Sequence, residues 1–355
     1  MAVLGARVAP AQLCAVVKAG GYGHGAVPVA RAALDAGAAW LAVALVDEGV
    51  ELRAEGIDAP VLVLSEPRPA EMPRLVEHDL TATVYSPVGV AALADAARTA
   101  GTIAGVHLKV NTGMNRVGAQ PDDVLSLARA VAADPALRLD ALWTHCAVAD
   151  EPENPFTAEQ LRRFRAVVAD LDAAGVRPPM LHAANSAAGL VAPDSRLDLV
   201  RAGIAVYGID PAPALAGVVE LRPALSLHAH VTHVKRVGAG ERVSYGLRHE
   251  FERDTTVATV PLGYADGVPR RLSAVGGEVL IGGRRCPIVG VVTMDQLMVD
   301  CGDDPVAVGD EVVLIGMQGD EAITANDWGR RLDTIGYEVV CGIGARVPRV
   351  YVDQG

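Results

Sequence analysis

The sequence predicts an α/β domain followed by an all-β domain, and three observations lead to this prediction. The chain has 355 residues, which is about two domains at roughly 150 residues per domain. Over the first part of the chain, short apolar runs alternate with alanine-rich segments that suit helices. From about Leu221 the helical pattern nearly vanishes, and short valine-rich runs alternate with glycine turns. We therefore predict a (β/α)8 TIM barrel over residues 1–220 and a C-terminal β-strand-rich domain over residues 221–355.

The barrel prediction depends on eight apolar runs separated by helical segments. Continuous apolar strands between helices indicate a parallel sheet covered on both faces, and eight such strands can close into a barrel. An open doubly wound sheet is the alternative, but no GxGxxG motif opens a helix after the first strand. The predicted strands span residues 13–18, 40–45, 61–64, 81–85, 106–110, 139–146, 180–186 and 197–203. The predicted helices include residues 26–36, 70–78, 88–99, 121–133 and 157–174, and in the β domain 325–332 with Thr324 or Asn326 as cap.

Composition excludes several classes of protein. The chain has 31 basic and 43 acidic residues, a net charge of −12, which argues against a broad nucleic-acid-binding surface. No apolar run approaches the roughly 18 residues of a membrane span. The five cysteines are scattered without a CxxC pair, and the first residues lack the apolar stretch of a signal peptide. We expect a cytoplasmic enzyme with neither a nucleic-acid nor a membrane partner.

Catalytic residues of barrels lie at the carboxyl ends of the strands, so Lys18 attracts attention first. It ends the first predicted strand and runs into the sequence AGGYGHG, whose glycines let the backbone approach a ligand closely. A lysine in this position is either a structural side chain that reaches solvent or a Schiff-base nucleophile. This fragment alone leaves both interpretations open.

Other predicted strand ends also carry polar groups. Arg201-Ala202-Gly203-Ile204, in the last strand-to-helix connection, offers backbone N–H groups of the kind that hold phosphate. A single arginine at a strand end is usually a surface charge, but four adjacent strand ends with such groups favour a functional site. The other polar residues in these segments are Lys109, Arg116, His145, Asn185 and Ser186.

A metal site is the main rival interpretation of a second segment. His228 and His230 would lie on one face of a strand, as metal ligands could, but His233 would lie on the other face. We favour polar residues on an exposed strand and predict no metal. In the same domain, Tyr245, Tyr264 and the segment Thr293-Met294-Asp295-Gln296 are flanked by turn residues, and each could be ordinary turn chemistry.

Taken together, the segments resemble alanine racemases, the pyridoxal-phosphate enzymes of fold type III. The resemblance extends from about Leu13 to Tyr351, and its motifs follow in the family's order. These motifs are AVVKAGGYGHG, KVNTGMNRVG, THCAVADE, ANSAAGL, VRAGIAVYG, VSYG, PLGYADGVPRR, TMDQLMVD and IGYEVVC.

The resemblance implies a homodimer with shared active sites that interconverts L- and D-alanine for peptidoglycan, with pyridoxal 5'-phosphate as cofactor. Lys18 would hold the cofactor and act as one base, and Tyr245 would act as the second base in the partner subunit's site. His145 would join Tyr245 to Arg201, and Arg201 would face the pyridine nitrogen. The other implied cofactor-binding residues are Tyr22, Asn185, Ser186, Gly203, Ile204 and Tyr337.

The resemblance also implies roles in substrate binding. Arg116 would meet the substrate carboxylate, and Met294 would assist it from the partner subunit. Lys109 matches a position that is often carbamylated in the family; a carbamate there would orient Arg116, and a plain lysine is the alternative.

Three departures from the family pattern leave rival functions open. Gly20 stands where the family usually has Asp or Asn, and Val291 stands where it usually has Arg. The stretch before the first strand also lacks residues that usually add a strand and a helix, so either the chain starts late or the β domain is missing an edge strand, which would leave an unpaired sheet edge. The rivals are a broad-specificity or serine racemase, a decarboxylase of the same cofactor class, and a weakly active cofactor-binding homologue.

Overall fold

A computed structural model describes residues 1–352 of the chain. The chain forms two compact units, one from Met1 to Leu221 and one from Arg222 onward. No helix among the described residues is both long and apolar enough to cross a membrane.

The first unit is a barrel of eight parallel strands. Their order around the sheet is β7-β6-β5-β4-β3-β2-β1-β8. Hydrogen bonds from Asp198 N to Leu181 O at 3.0 Å and from Arg201 N to Ala184 O at 3.1 Å join the two ends of this order. The prediction of a closed barrel is thereby confirmed. The strands are β1 (Gln12–Val16), β2 (Trp40–Val43), β3 (Val61–Val63), β4 (Thr81–Val84), β5 (Ala104–Lys109), β6 (Leu137–Trp143), β7 (Met180–His182) and β8 (Leu199–Ala202).

Helices cover the outside of this barrel, and small aliphatic side chains fill the layer between them. Strand residues such as Leu41, Val61 and Val106 and helix residues such as Leu52 and Leu93 are fully buried. Because apolar residues line both faces of the strands, the strands are buried between the helices and the barrel interior. The helices are Ala2–Val8, Ala26–Asp35, Val46–Ala54, Met72–Glu77, Pro87–Ala100, Pro121–Ala133, Phe156–Ala173 and Ser186–Val191.

The strands end earlier than the sequence predicts, and this difference positions the site. Residues 183–186 were predicted as strand, but β7 ends at His182, and Ser186 begins a helix. The reason is local: the side-chain carbonyl of Asn185 accepts a hydrogen bond from Ala188 N at 2.9 Å and caps that helix. Lys18 likewise lies two residues beyond the end of β1. Both polar segments therefore lie in the connections that follow the strands.

The second unit is built mainly from antiparallel strands, as predicted. One sheet has the order β10-β13-β16-β15-β14-β17-β18, with β9 paired to β17, and β11 pairs with β12. The strands are β9 (Leu227–His230), β10 (His233–Val237), β11 (Arg242–Val243), β12 (His249–Glu250), β13 (Thr255–Val260), β14 (Glu278–Ile281), β15 (Arg284–Val289), β16 (Leu297–Asp300), β17 (Glu311–Gln318) and β18 (Glu321–Ile323).

Two helices belong to this unit as well, and one of its strands, β9, carries the exposed His228. The predicted helix Ala325–Leu332 is present, and Thr324 rather than Asn326 caps it, because the Thr324 hydroxyl accepts a hydrogen bond from Asp327 N at 3.1 Å. A second helix, Gly336–Cys341, was not predicted. His228 lies exposed on β9, and its two ring nitrogens contact Glu311 at 2.9 Å and Ser226 at 2.7 Å. These contacts fit a polar strand surface.

Candidate active site

Lys18 opens a left-handed turn at the carboxyl-terminal mouth of the barrel, the end at which the strands finish. The four residues after it, 19–22, have φ angles of 54°, 60°, 62° and 51°. This conformation costs about 1–2 kcal/mol per residue with a side chain and little for glycine, so Gly20 and Gly21 favour the turn. A Cβ at Gly20 would meet nothing within 4 Å. Asp and Asn also tolerate this conformation, so Gly20 departs from the resembled family without changing the shape of the turn.

Glu48 holds the loop after Lys18 in place, and sequence reasoning missed it. One of its carboxylate oxygens accepts a hydrogen bond from Ala19 N at 2.6 Å. The other accepts from Ala44 N at 2.8 Å and Leu45 N at 3.0 Å. Glu48 therefore ties the segment after β1 to the segment after β2. The only signal in the sequence was its position three residues after Leu45, which is the spacing of a capping box.

Arg201 is a buried cation at the end of β8. Its side chain is 2% exposed and donates hydrogen bonds to Thr144 O at 2.8 Å and Ala183 O at 2.9 Å. It also meets His182 Nδ1 at 2.7 Å and His145 Nδ1 at 3.2 Å. Burial lowers its pKa to about 10, so Arg201 remains protonated at neutral pH.

The contacts of Arg201 determine which ring nitrogen carries the proton in His182 and, through it, in His107. A guanidinium only donates, so His182 Nδ1 must accept, and its proton lies on Nε2. That Nε2 lies 3.1 Å from His107 Nδ1, which therefore accepts as well. Burial, followed by the charge of Arg201, lowers the pKa of His107 to about 3 and that of His182 well below its usual value. Both imidazoles are thus neutral and form a chain of acceptors behind Arg201.

His145 completes the set of neutral imidazoles. Burial and then the nearby cations, Arg201 first, lower the pKa of its imidazole well below the usual value. Its Nδ1 accepts from Arg201, so its Nε2 carries the remaining proton. The predicted link between His145 and Arg201 is present, whereas the predicted link to Tyr245 stays a prediction.

Trp143 contacts both buried cations of the mouth. Lys109 Nζ lies 4.0 Å from the centre of its ring, and Arg201 Cζ lies 4.4 Å from it. The ring of His182 is parallel to Trp143, with centroids 5.4 Å apart. An aromatic face attracts a cation that has lost its water, so Trp143 stabilises both charges. Sequence reasoning did not single out this residue.

Lys109 has an unusual acid–base environment. Its side chain is 4% exposed. Burial, followed by repulsion from Arg201, Arg116 and Lys18, lowers its pKa to about 7. A substantial fraction of the Lys109 amine is therefore neutral near pH 7, at a cationic mouth in a chain whose net charge is −12.

Arg116 lies in a loop that begins and ends beside the end of β5. Asn111 N donates to Ala119 O at 2.8 Å, and Ala119 N donates to Lys109 O at 2.9 Å. The Asn111 side chain accepts from Asn115 N at 3.0 Å and closes the turn. The loop therefore keeps the exposed Arg116 at the mouth, where its charge acts on Lys109.

A cluster of hydroxyls and backbone amides lies between the ends of β7 and β8. The Ser186 hydroxyl accepts hydrogen bonds from Gly203 N at 2.8 Å and Ala205 N at 3.4 Å. A Cβ on Gly203 would lie 2.6 Å from the Tyr22 hydroxyl and 3.9 Å from Ser186 Oγ, so glycine leaves the space between these groups open. Ile204 begins the 3-10 helix that follows. Two hydroxyls and the amides of a helix start suit an anion.

Tyr207 positions Tyr22 beside this cluster of hydroxyls and amides. The buried Tyr207 hydroxyl donates to Val16 O at 2.9 Å, and its ring lies 4.8 Å from that of Tyr22.

Asn185, predicted to bind cofactor, uses its side chain to cap the helix that begins at Ser186. Its contact with a cofactor stays a prediction.

Three predicted site residues lie in the second unit: Tyr245, Met294 and Tyr337. Tyr245 is 75% exposed and Met294 is 52% exposed, whereas Tyr337 is half-buried. Met294 lies in the loop between β15 and β16, where its carbonyl accepts from Ala265 N at 3.0 Å. The first unit thus gathers the other predicted residues at one mouth, and the roles of these three stay predictions.

Val291, the second departure from the resembled family, supports the segment before Tyr245. Its carbonyl accepts a hydrogen bond from the Ser244 hydroxyl at 2.9 Å. Ser244 has a φ of 65°, so this bond holds a strained residue next to Tyr245. A carbonyl makes this contact whatever the side chain at residue 291 is.

The chain is a closed parallel barrel followed by a β unit, with a lysine after β1 and a buried arginine in β8 at the mouth of the barrel. Two family models match the chain: the N-terminal domain of alanine racemase over residues 1–211 and the C-terminal domain over residues 224–351. The chain belongs to the alanine racemase family, as its sequence predicts.

Individual relatives agree with this assignment. The chain is 53% identical to the alanine racemase of Symbiobacterium thermophilum, over 96% of this chain and 90% of that protein. Its fold is similar to the alanine racemase of D-cycloserine-producing Streptomyces lavendulae, with a TM-score of 0.94 and 43% identity over 99% of this chain and 93% of the other. A histidine racemase from Leuconostoc mesenteroides has a TM-score of 0.90 and 31% identity, over 99% of this chain and 94% of the other.

The chain of acceptors behind Arg201 makes a prediction about His107. In the variant His107→Leu, the buried His182 Nε2–H loses its acceptor, and we expect unfolding to become about 1–3 kcal/mol easier. His107→Gln offers a carbonyl oxygen in its place and should recover most of this loss. Denaturant unfolding of the cofactor-free proteins measures both values, and equal stability of the two variants would contradict the network.

Proposed function

We propose that this protein is an alanine racemase that uses pyridoxal 5'-phosphate to interconvert L- and D-alanine. It would act in the cytoplasm and supply D-alanine for peptidoglycan. One observation carries the proposal: a single mouth of the barrel gathers a lysine amine, a buried guanidinium and an anion-binding pocket. Membership of the alanine racemase family supports the substrate.

The residues of the mouth fit this cofactor. A phosphate dianion needs donors without competing side-chain bulk, and the pocket beside Gly203 offers the hydroxyls of Tyr22 and Ser186 in a space that a Cβ would fill. The backbone of Ile204 would add an N–H donor, Gly203 would line the site with its own N–H donated to Ser186 Oγ at 2.8 Å, and Tyr337 and Asn185 would complete the binding site. Lys18 would hold the cofactor covalently through its amine.

When bound, pyridoxal phosphate supplies an electron-withdrawing ring that acidifies the Cα–H of the attached amino acid. Arg201 would donate a hydrogen bond to the ring nitrogen. Because its pKa remains near 10, Arg201 keeps its proton, and the ring nitrogen stays an acceptor. We infer that this weakens charge withdrawal enough to favour racemisation over transamination.

Racemisation needs one base on each face of the substrate. Lys18 Nζ would take a proton from one face of Cα, and the partner subunit's Tyr245 would return a proton to the other face. His145, held by Arg201, would hydrogen-bond the same tyrosine and fix its direction. Arg116 would bind the substrate carboxylate from its closed loop, assisted by the main chain at Met294.

A homodimer with shared sites supports the use of Tyr245 and Met294. Both side chains are more than half exposed in the second unit, and exposed aromatic and apolar groups of this kind are frequent at interfaces. Tyr264, 44% exposed, adds a third such group. In a dimer, Tyr245 and Met294 would act in the partner subunit's site, which would account for their exposure in a single chain.

A broad-specificity racemase is the second candidate. A histidine racemase shares this fold at 31% identity, so the architecture admits a larger amino acid. Val291 also replaces a cation that the family usually carries, which removes a polar group from the expected substrate entrance.

Assays with several amino acids distinguish the two candidates. With added pyridoxal phosphate we expect kcat/KM for alanine to exceed that for serine or histidine by about tenfold or more, because a pocket shaped for a methyl group discriminates against an added hydroxyl by up to about a hundredfold and has no room for an imidazole ring. The variant Lys18→Ala should show no turnover. A higher kcat/KM for serine or a larger amino acid would overturn the alanine assignment.

The anion-binding pocket makes a prediction about Gly203. In Gly203→Ala the new Cβ would lie 2.6 Å from the Tyr22 hydroxyl, so we expect affinity for pyridoxal phosphate to fall by about tenfold or more, roughly 1.4 kcal/mol. Titration of the cofactor-free protein by absorbance measures this. Gly5→Ala, whose Cβ would make only a 3.8 Å contact with Leu13, is the control and should bind normally.

We propose that Lys109 is carbamylated. Carbon dioxide reacts with neutral amines, and a lysine with its reference pKa of about 10.4 is neutral in only about one molecule in 2,500 near pH 7. Lys109, with a pKa of about 7, is neutral in about half of the molecules there. The negative product would be stabilised by Arg116, Arg201 and Lys18.

Carbon-13 NMR in labelled bicarbonate tests this assignment. We expect a carbamate signal near pH 8 that falls as the pH drops through about 7, because protonation of the Lys109 amine blocks the reaction. Lys109→Arg should abolish the signal, and Lys235→Arg, at an exposed position on β10, should keep it. A signal that survives in Lys109→Arg would refute the assignment.

A further inference from the structure

Two cysteines of the second unit face each other across neighbouring strands. β15 and β16 are antiparallel, with Ile288 opposite Val299. Continuing this register by two residues along each strand places Cys286 opposite Cys301. Residues opposite each other in a sheet project to the same face, and each of the two cysteines is 4% exposed.

The hydrogen bonds of the sheet show which kind of pair this is. Ile288 N donates to Gly277 O at 2.9 Å, on the side away from β16. Since strand amides alternate in direction, Cys286 N also points away from β16. Cys301 N donates to Thr256 O at 2.8 Å, on the side away from β15. The two cysteines therefore form a non-hydrogen-bonded pair.

Such pairs have the geometry that a disulfide needs. The Cα atoms of a non-hydrogen-bonded pair lie about 4.5 Å apart, within the range of about 4.4–6.8 Å that disulfides span. The two sulfhydryl groups already interact: a hydrogen bond between them lowers the pKa of Cys286 and raises that of Cys301. Burial instead raises the pKa of Cys14 to about 12 and that of Cys146 to about 11. Cys286 is therefore better suited than these two to react as a thiolate.

We propose that Cys286 and Cys301 are an oxidation site at which a peroxide forms a reversible cross-strand disulfide. The Cys286 sulfur attacks one peroxide oxygen, the O–O bond breaks, and a sulfenic acid and water result. The Cys301 sulfur then attacks the sulfenic sulfur, the S–S bond forms, and the S–O bond breaks to release a second water. Two thiols and one hydrogen peroxide give one disulfide and two waters, so two electrons pass from sulfur to peroxide.

The disulfide would close a ring around the loop that carries Met294. This loop connects β15 to β16, and its Thr293 carbonyl accepts a hydrogen bond from Tyr264 N at 2.9 Å. Oxidation would therefore restrain the segment next to Tyr264. Formation of the bond depends only on the two thiols and not on the proposed racemase activity.

Thiol mapping of the full chain tests the proposal. The protein is treated with hydrogen peroxide, alkylated in denaturant, digested without reductant and analysed by mass spectrometry. Cys341 is exposed, so a Cys341→Ser chain is treated in parallel to prevent cross-links between molecules. We expect one peptide pair joined through Cys286 and Cys301, two fewer alkylated thiols, and recovery of both thiols with dithiothreitol.

Matched variants separate this site from the other thiols. Cys301→Ser should lose the joined peptides, and Cys14→Ser and Cys146→Ser should keep them. If one variant fails to fold, the peptide mapping of the unsubstituted chain still tests the proposal. The proposal is overturned if Cys286 and Cys301 are both recovered alkylated, or as separate sulfinic acids, after a peroxide exposure that oxidises Cys341.

Discussion

The burial of the Arg201 guanidinium is the constraint on which the rest of the mouth depends. Removing such a charge from water costs several kcal/mol unless its donors are satisfied. Two carbonyls, two imidazoles and the face of Trp143 provide this compensation. An imidazole accepts a hydrogen bond only when it is neutral, and burial, followed by the charge of Arg201, lowers the pKa of His182 and of His145 so that both stay neutral. The cation and its acceptors therefore stabilise one another's protonation states.

The same cation also acts on the amine of Lys109. Burial lowers the pKa of Lys109 most, and Arg201 is the nearby charge that lowers it further; the chain uses lysine almost only at this mouth. Of its 31 basic residues only three are lysines, Lys18, Lys109 and Lys235. Arginine cannot readily lose its proton, so a chain that uses arginine for its ordinary surface charges keeps lysine where a neutral amine is needed. This count was a signal in the sequence that motif reasoning passed over.

Sequence reasoning predicted the eight strands because uninterrupted apolar runs report burial on both faces directly. It predicted the strand ends less well, since the cap at Asn185 and the left-handed turn after Lys18 are local devices of a few residues. It missed Glu48, Trp143 and His107 because their partners lie on other strands and meet only when the barrel closes. Lys18, Lys109, His145, Ser186 and Arg201 could be predicted because each lies at or shortly after the carboxyl end of a strand, and these ends must face the same mouth. Tyr245 and Met294 were assigned by resemblance alone, and the roles proposed for them would require a second chain, which one sequence does not describe.

Nitrogen-15 NMR of the histidine side chains tests most directly whether neutral acceptors hold Arg201. In the cofactor-free protein, His107, His145 and His182 should each remain neutral between about pH 5 and 8, with the proton on Nε2. The nitrogen-15 signal of an exposed histidine outside this network, such as His228, would serve as the internal reference for the three buried histidines. Titration of His182 near its ordinary pKa of about 6.5, or a proton on its Nδ1, would contradict the account, because neither state accepts a hydrogen bond from Arg201.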